Sequence, residues 1–349
     1  MEKTDIKSLN LQELEGLVKS MGQPAFRAKQ LYQWMHQKLV TDFTQMSNLS
    51  KPLQAQLQEQ CELVVLKKVD VRISQIDGTR KYLFALPDGN VIESVWMQYQ
   101  HGNSVCISSQ AGCRMGCRFC ASTLDGLSRN LTASEMLEQV YRIQEDTGER
   151  VSNVVIMGSG EPLDNYDNVV RFLRLISDAE GLHISERNLT LSTCGLVPKM
   201  YRLAEEGLHI TMALSLHAPN DDLRSSLMPV ARKYPLSEVI EACRYYFEKT
   251  GRRITFEYSL INGENDTAAC GKELAKLLQG LNCHVNLIPV NAIKERDFVQ
   301  SEGKRIQSFK KLLENHKINV TIRREMGRDI NGACGQLRKS YLEHAAERE

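Results

Sequence analysis

SVCISSQAGCRMGCRFCAS, residues 104–122, joins a strand-like run to a loop that carries three cysteines, Cys113, Cys117 and Cys120. The spacing is C-x3-C-x2-C, and no fourth cysteine follows nearby. Thiolates are the usual protein ligands of iron–sulfur clusters, and a cubane takes four ligands. Three cysteines therefore leave one iron open, as an open position makes a zinc site catalytic rather than structural. Such density is foreign to a packing pattern, and Arg114, Gly116 and Arg118 between the thiols do not belong to a core. A structural zinc site would want two ligand pairs, and the nearest histidine is His101. The stretch thus predicts a [4Fe-4S] cluster at the C-terminal end of a strand.

Outward from this stretch the chain repeats strand and helix. Strands are expected over 104–109, 152–157, 188–193, 209–215, 253–260, 283–289 and 318–323, where short β-branched runs occur. Segments of helical period fill 133–146, 166–178, 197–206, 235–249, 267–279 and 303–316. Alternation of this kind implies an α/β fold with a parallel sheet and helices outside it, curled into a full or partial barrel. Active sites of such barrels lie at the C-terminal ends of the strands. The chemically suggestive residues converge there: the cysteine loop, GSGEP (158–162), Ser192–Thr193, SLH (215–217) and Asn291. The glycines of GSGEP would let the backbone approach a ligand closely, with the Glu161 carboxylate beside them. Ser192, His217 and Asn291 also suit simple turn or capping roles.

Before the repeats, residues 1–60 read as a small helical domain. Leu9, Leu11, Leu14 and Leu17 recur at helix spacing. A Gly22–Pro24 break follows, then PAFRAKQLYQWMHQK (24–38) with Phe26, Leu31, Trp34 and Met35 on one stripe, and a third helix around 50–60. Residues 61–100 alternate, with hairpin marks at Asp77–Gly78 and Asp88–Gly89, and read as a β extension leading into a barrel domain over 101–345. The 349 residues carry 44 basic and 43 acidic side chains, so charge announces no nucleic-acid partner. Basic pairs such as Arg252–Arg253 and Arg323–Arg324 read singly as solvated surface. The N-terminus has no signal-peptide pattern and no run of about 18 apolar residues occurs, which points to a cytoplasmic chain with reduced thiols and no membrane.

The cysteine spacing resembles the cluster motif of radical S-adenosylmethionine (SAM) enzymes, where SAM chelates the open iron, and MGSGEP resembles the element that holds the SAM amino group. CISSQAGCRMGCRFCAS, MGSGEPLDN, LSTCGLVPKM, SLHAPNDDLRSSLMP, HVNLIPVN and DINGACGQL together resemble the RlmN/Cfr family of RNA methyltransferases, from about residue 20 to 340. The N-terminal PAFRAKQLYQWMHQK and the proline of GEPLDN are similar to the RlmN branch. The resemblance implies a partial, TIM-like barrel of radical SAM type, a [4Fe-4S] cluster on Cys113, Cys117 and Cys120, and SAM held by Gly160, Glu161, Ser192, Ser215, Leu216, His217 and Asn291. It implies methylation of adenosine C2 in 23S rRNA and in tRNA, just 3′ of the anticodon; the Cfr branch methylates C8 of the same rRNA adenosine.

An sp2 C2–H offers no electron pair to a methyl sulfonium, whereas a thiolate does. By the resemblance, Cys334 takes a methyl from one SAM, a radical derived from a second SAM removes a hydrogen from that methyl, and the carbon radical adds to C2. Cys106 matches the thiol that resolves the resulting adduct with formation of a disulfide, and Glu93 matches the proton acceptor. Whether Glu93 or Cys106 takes the C2 proton stays open in the sequence, and a strand carboxylate is ordinarily a surface group. The partners implied are 23S rRNA, tRNA and an electron donor such as flavodoxin or ferredoxin, with a monomeric enzyme. Two other classes compete: a radical SAM activase, which would not need Cys106 and Cys334, and a zinc-stabilised RNA-binding module, which would contain no iron. Cys61, Cys243, Cys270 and Cys283 read as packing residues, and Cys194, after Ser192–Thr193 at the barrel rim, as an inert residue lining the site.

Overall fold

The structure is a computed structural model that describes residues 3–100, 102–290 and 297–330. In chain order it begins with strand β1 (Thr4–Asp5), helices α1 (Leu11–Ser20), α2 (Phe26–His36) and α3 (Lys51–Gln60), and strand β2 (Cys61–Glu62), which pairs with β1. Asn10 caps α1 in a capping box with Glu13, satisfying free N–H groups of the first turn, so Leu9 falls outside the helix that its spacing suggested. The buried face of α2 is Ala28, Leu31, Tyr32, Met35 and His36, at i, i+3 and i+4 intervals. Phe26, expected on that stripe, is instead exposed and lies under the Arg27 guanidinium, because the helical period puts it on the side of α2 opposite Ala28, Leu31 and Met35.

β3 (Lys67–Ile73), β4 (Arg80–Ala85) and β5 (Val91–Tyr99) form an antiparallel meander whose turns carry Gly78 and Gly89 at positive φ, as the Asp-Gly marks predict. β6 (Gly102–Ile107) pairs antiparallel with β5 and parallel with β9 (Val151–Ile156). The short pair β7 (Gln110–Gly112) and β8 (Leu127–Asn130) follows β6, and α4 (Ala133–Thr147) leads to β9. Then come α5 (Tyr166–Ser177), β10 (Leu189–Thr193), α6 (Val197–Ala204), β11 (Thr211–Ser215), α7 (Asp221–Leu227), α8 (Leu236–Thr250), β12 (Ile254–Leu260), α9 (Ala268–Leu277), β13 (Cys283–Pro289), α10 (Gly303–Asn315) and β14 (Asn319–Ile322).

One ten-stranded sheet runs β14-β13-β12-β11-β10-β9-β6-β5-β4-β3. From β6 to β14 every pairing is parallel, and from β9 onward spatial order follows chain order, the singly wound arrangement of a barrel rather than of a doubly wound sheet. Among the described residues β14 and β3 pair with no further strand, so the barrel is partial. The chain beyond β14 reaches the β3–β4 turn: Asp77 accepts from Gly327 N–H at 3.0 Å, and Asp329 accepts from Ser74 Oγ at 2.6 Å and Gln75 N–H at 2.8 Å. That clasp joins the two edges.

The N-terminal helices share the barrel's hydrophobic core, with Leu14, Leu31 and Leu57 fully buried in the same cluster as Val154 and Leu191. Lys7, wholly buried, crosses to Glu138 on α4 (2.5 Å) and to the Val64 carbonyl (2.6 Å), and His36 Nδ1 lies 2.8 Å from Tyr141 Oη. A buried ammonium is tolerated only when paired and hydrogen-bonded, so these contacts hold the N-terminal part in register with the barrel.

Candidate active site

The pair β7–β8 closes the neck of the cysteine loop. Cys113 N–H donates to the Gly126 carbonyl at 2.8 Å, and Gly112 has φ +83° where a Cβ would lie 2.1 Å from the Gly126 oxygen. No other residue fits that crossing. Cys113 and Cys117 are buried and Cys120 is half-buried. Around them stands an apolar wall of Cys194, Leu227, Met228, Ile261 and Val290, with Met115 and Phe119 packed against it. Burial, reinforced by the neighbouring Cys120, pushes the Cys113 thiol up to about 12, and Cys117 is raised further, by burial first and then by Cys120 and Cys113.

Among the described residues no three His, Cys, Asp or Glu side chains are gathered tightly enough to hold a single metal ion. A cubane is larger than an ion and takes one thiolate per iron, so its ligands stand further apart. Three cysteines on one short loop, close enough to raise one another's pKa inside an apolar wall, suit that larger group. The iron charge would stabilise thiolates that burial alone disfavours.

GSGEP follows β9. Gly158 packs against the end of β6, where a Cβ would meet the Ile107 carbonyl at 2.7 Å. Gly160 has φ +106°, and its Cβ would lie 2.6 Å from Gln110 Cβ. What these glycines admit is thus the chain itself: Gln110 accepts from Glu161 N–H at 2.8 Å and donates to Asn130 and Asp164. Glu161 is buried, and its carboxylate accepts from Leu163 N–H at 3.0 Å and Cys194 N–H at 2.7 Å, tying the loop after β9 to the loop after β10. Burial raises its pKa, while those hydrogen bonds oppose the shift. Asn165 donates to the Ser109 and Leu131 carbonyls, completing the role of the PLDN stretch.

Ser192 and Ser215 end β10 and β11 with hydroxyls 3.4 Å apart. Leu216 is fully buried, and its N–H donates to the Glu257 carbonyl. His217 stands at φ +56°, a left-handed conformation uncommon outside glycine and costing about 1–3 kcal/mol. Its Nδ1 accepts from Ser259 N–H at 2.9 Å, leaving the proton on Nε2, and its ring meets Phe119 of the cysteine loop edge-on at 4.7 Å. Burial, then Arg224, lowers its pKa to about 3, so the ring is neutral. Asn291 and Cys334 lie outside the described residues.

Cys106 occupies β6 between Val95 on β5 and Val155 on β9. Burial raises its thiol, and Arg323 beyond β14 opposes that. Glu93 is not a surface carboxylate: it is buried 3.2 Å from the Lys81 ammonium. Sequence reasoning missed four residues of this rim. Arg224 is fully buried and donates to the carbonyls of Cys194 (2.7 Å), Leu216 (3.3 Å), Ser215 (3.4 Å) and Tyr234 (3.4 Å). Asn265 donates to the His217 and Ser259 carbonyls. Gln110 and Lys81 complete the set. Only Arg224 and Gln110 fell within stretches that the motifs single out; nothing local marks Lys81 or Asn265.

A cluster loop at the C-terminal rim of a partial parallel barrel, with four strand ends turned toward it, defines a radical SAM enzyme. The radical SAM superfamily profile matches residues 107–270, and that of the ribosomal RNA large subunit methyltransferase N-terminal domain matches residues 4–63. Two proteins called probable dual-specificity RNA methyltransferase RlmN are similar over nearly their whole lengths. That of Lachnoclostridium phytofermentans is 64% identical over 100% of this chain and 98% of its own, and that of Lachnospira eligens is 60% identical over 99% and 98%. A radical SAM methyltransferase of known structure from Sphaerobacter thermophilus superposes with TM-score 0.91 at 45% identity, over 95% of this chain and 98% of its own. The chain belongs to the RlmN family of radical SAM RNA methyltransferases, which use a [4Fe-4S] cluster and SAM. Among the described residues no helix is long and apolar enough to cross a membrane.

Proposed function

We propose that this enzyme methylates C2 of adenosine in 23S rRNA and in tRNA through a methyl group carried on Cys334, as the sequence resemblance implies. The observation that carries the reading is the shared face of Cys106 and Glu93 beside the cluster loop. Both are buried, and Val95, the residue opposite Cys106, lies two positions from Glu93 on β5. An activase or a zinc-held binding module has no use for that arrangement.

Cys113, Cys117 and Cys120 would hold the cluster, and Gly160, Glu161, Ser192, Ser215, Leu216, His217 and Asn291 would line the SAM site. When bound, the cluster and SAM supply an organic radical that removes a hydrogen from the S-methyl group of Cys334. His217 offers its Nε2–H, and Leu216 contributes through the backbone, since its side chain is core. The apolar wall around Cys117 excludes water from a radical site. Cys334 carries the methyl carbon to C2. Glu93 accepts the C2 proton. Cys106 then forms the S–S bond with Cys334 as the bond from Cys334 sulfur to the RNA-borne carbon breaks; the electron pair of that bond stays on the carbon, which takes up a proton, matching the one the Cys106 thiol gives up, to become the methyl group. The target base leaves its stack to reach the rim, and the N-terminal helices, fixed to the barrel by Lys7 and Glu138, would hold the RNA by shape and phosphate contacts. Flavodoxin or ferredoxin would supply the electron to a cytoplasmic monomer.

Mass spectrometry of 23S rRNA and tRNA from a deletion strain tests this. Loss of 2-methyladenosine from both RNAs, restored by the wild-type chain, is expected. Loss of 8-methyladenosine instead, or an unchanged RNA, overturns it.

A further inference from the structure

By local pattern Lys81 is one more polar residue of the alternating stretch over 61–100. Its register says otherwise. Lys81 on β4 lies opposite Val95 on β5, and Val95 lies opposite Cys106 on β6. The three form one row across the sheet, on one face because side chains alternate along each strand. Glu93, two residues from Val95, shares that face and stands diagonal to both Lys81 and Cys106. Lys81 Nζ is 3.2 Å from Glu93 Oε2, with side chains 0% and 4% exposed. Beyond Lys81, the titratable and charged groups that face this spot among the described residues include Cys106 from β6, Tyr99 farther along β5 and Arg323 beyond β14.

A carboxylate in such a place takes up a proton unless a cation meets it, because burial penalises the charged form. A protonated Glu93 could accept nothing. Cys106 has the opposite need: as a buried thiol it must be kept for sulfur–sulfur bond formation rather than spent on the C2 proton. We propose that Lys81 is a positioning residue for methyl transfer, holding Glu93 ionised and oriented beside Cys106 so that the C2 proton passes to Glu93 and not to Cys106. This rests on the roles given to Glu93 and Cys106 above. In the step concerned the C2–H bond breaks, the proton bonds to a Glu93 oxygen, its electron pair restores the aromatic ring, and the unpaired electron left there by radical addition passes to a one-electron acceptor, the role the family's cluster would fill. Lys81 makes and breaks no bond in the step and touches no substrate.

The test uses Lys81→Met, Lys81→Arg and the wild type, purified anaerobically from cells with their RNA. Lys81→Met is expected to keep its iron and its methyl on Cys334, both of which precede proton removal. It should accumulate protein covalently joined to RNA through Cys334 and lose turnover by about 10²-fold or more, the usual worth of a placed base. Turnover should recover as pH rises, since alkali ionises a Glu93 that Lys81 no longer holds, and Lys81→Arg should restore most activity. In cluster-free protein at neutral pH, infrared spectra should show a protonated-carboxyl band in Lys81→Met that is missing from both Lys81→Met/Glu93→Gln and the wild type. Wild-type turnover in Lys81→Met, or an unchanged pH profile, overturns the proposal. So does loss of iron from both Lys81 variants, which would make Lys81 a folding residue. A wild type that never carries methyl on Cys334 refutes instead the thiol-borne reading on which the proposal rests.

Discussion

Replacing Arg224 with Met should loosen the SAM-binding rim as a unit. The guanidinium is fully buried and meets four main-chain carbonyls, two of them in the SL pair of β11's end and one at Cys194. Burial, the largest influence on it, lowers its pKa, while Cys194, Cys117 and Asp221 oppose that shift. Met fills much of the volume but donates nothing. Charge-assisted hydrogen bonds contribute about 1.5–3 kcal/mol each, and each stranded carbonyl costs about 1–3 kcal/mol. Three of the four contacts are 3.3 Å or longer, so the strong one to Cys194 dominates. The expected loss is about 3–5 kcal/mol. With about 2.1 cal/mol/K of unfolding entropy per residue over 349 residues, that lowers Tm by roughly 4–7 °C. Glu161, which accepts from Cys194 N–H, should shift with the loop, so SAM affinity should fall about tenfold or more. Differential scanning calorimetry and equilibrium dialysis of anaerobically reconstituted protein measure both. A Tm within a degree of wild type with unchanged SAM affinity would refute the claim that Arg224 organises these loops.

Cys117→Ala should abolish cluster binding and SAM cleavage; as-purified protein with full iron content and turnover would remove Cys117 from the ligand set. Cys334→Ala should keep its iron yet give no methyladenosine and no RNA adduct, by mass spectrometry of the RNA and the protein. Cys106→Ala should purify attached to RNA through Cys334, seen as a nuclease-sensitive mass shift; a variant free of RNA would show that Cys106 does not resolve the adduct. Acid should unfold the protein early, because burial lowers His36 and His217 to about 3 from an unfolded value near 6.5. A depressed folded pKa means the unfolded chain binds the proton first, so stability is lost as pH falls below about 6.5, by on the order of 5 kcal/mol for the two together near pH 4.5. Urea titrations of cluster-free protein check this, and equal midpoints near pH 7 and 4.5 would sink it.

Elements set by short-range pattern were legible in the sequence. The helix expected over 133–146 is Ala133–Thr147, capped by Thr132 with Glu135 and ended by Gly148 at positive φ. The strand expected over 283–289 is Cys283–Pro289. Helix and strand periods, caps and Asp-Gly turns are properties of a few neighbouring residues, so they can be read along the chain. The cluster motif is equally local, since all three thiols fall within eight residues. What tertiary structure alone decided are the meetings across the sheet and between loops. Lys81 and Glu93 come together through β-strand register, Arg224 reaches Cys194 across 30 positions, and Gln110 accepts from Glu161 across 51. Shifting a strand by one residue would send Lys81 to the other face without changing one letter of its local pattern. Burial then inverts the reading of each group: a lysine and a glutamate on an alternating strand are surface residues until the fold removes their water, and only then must one hold the other's charge.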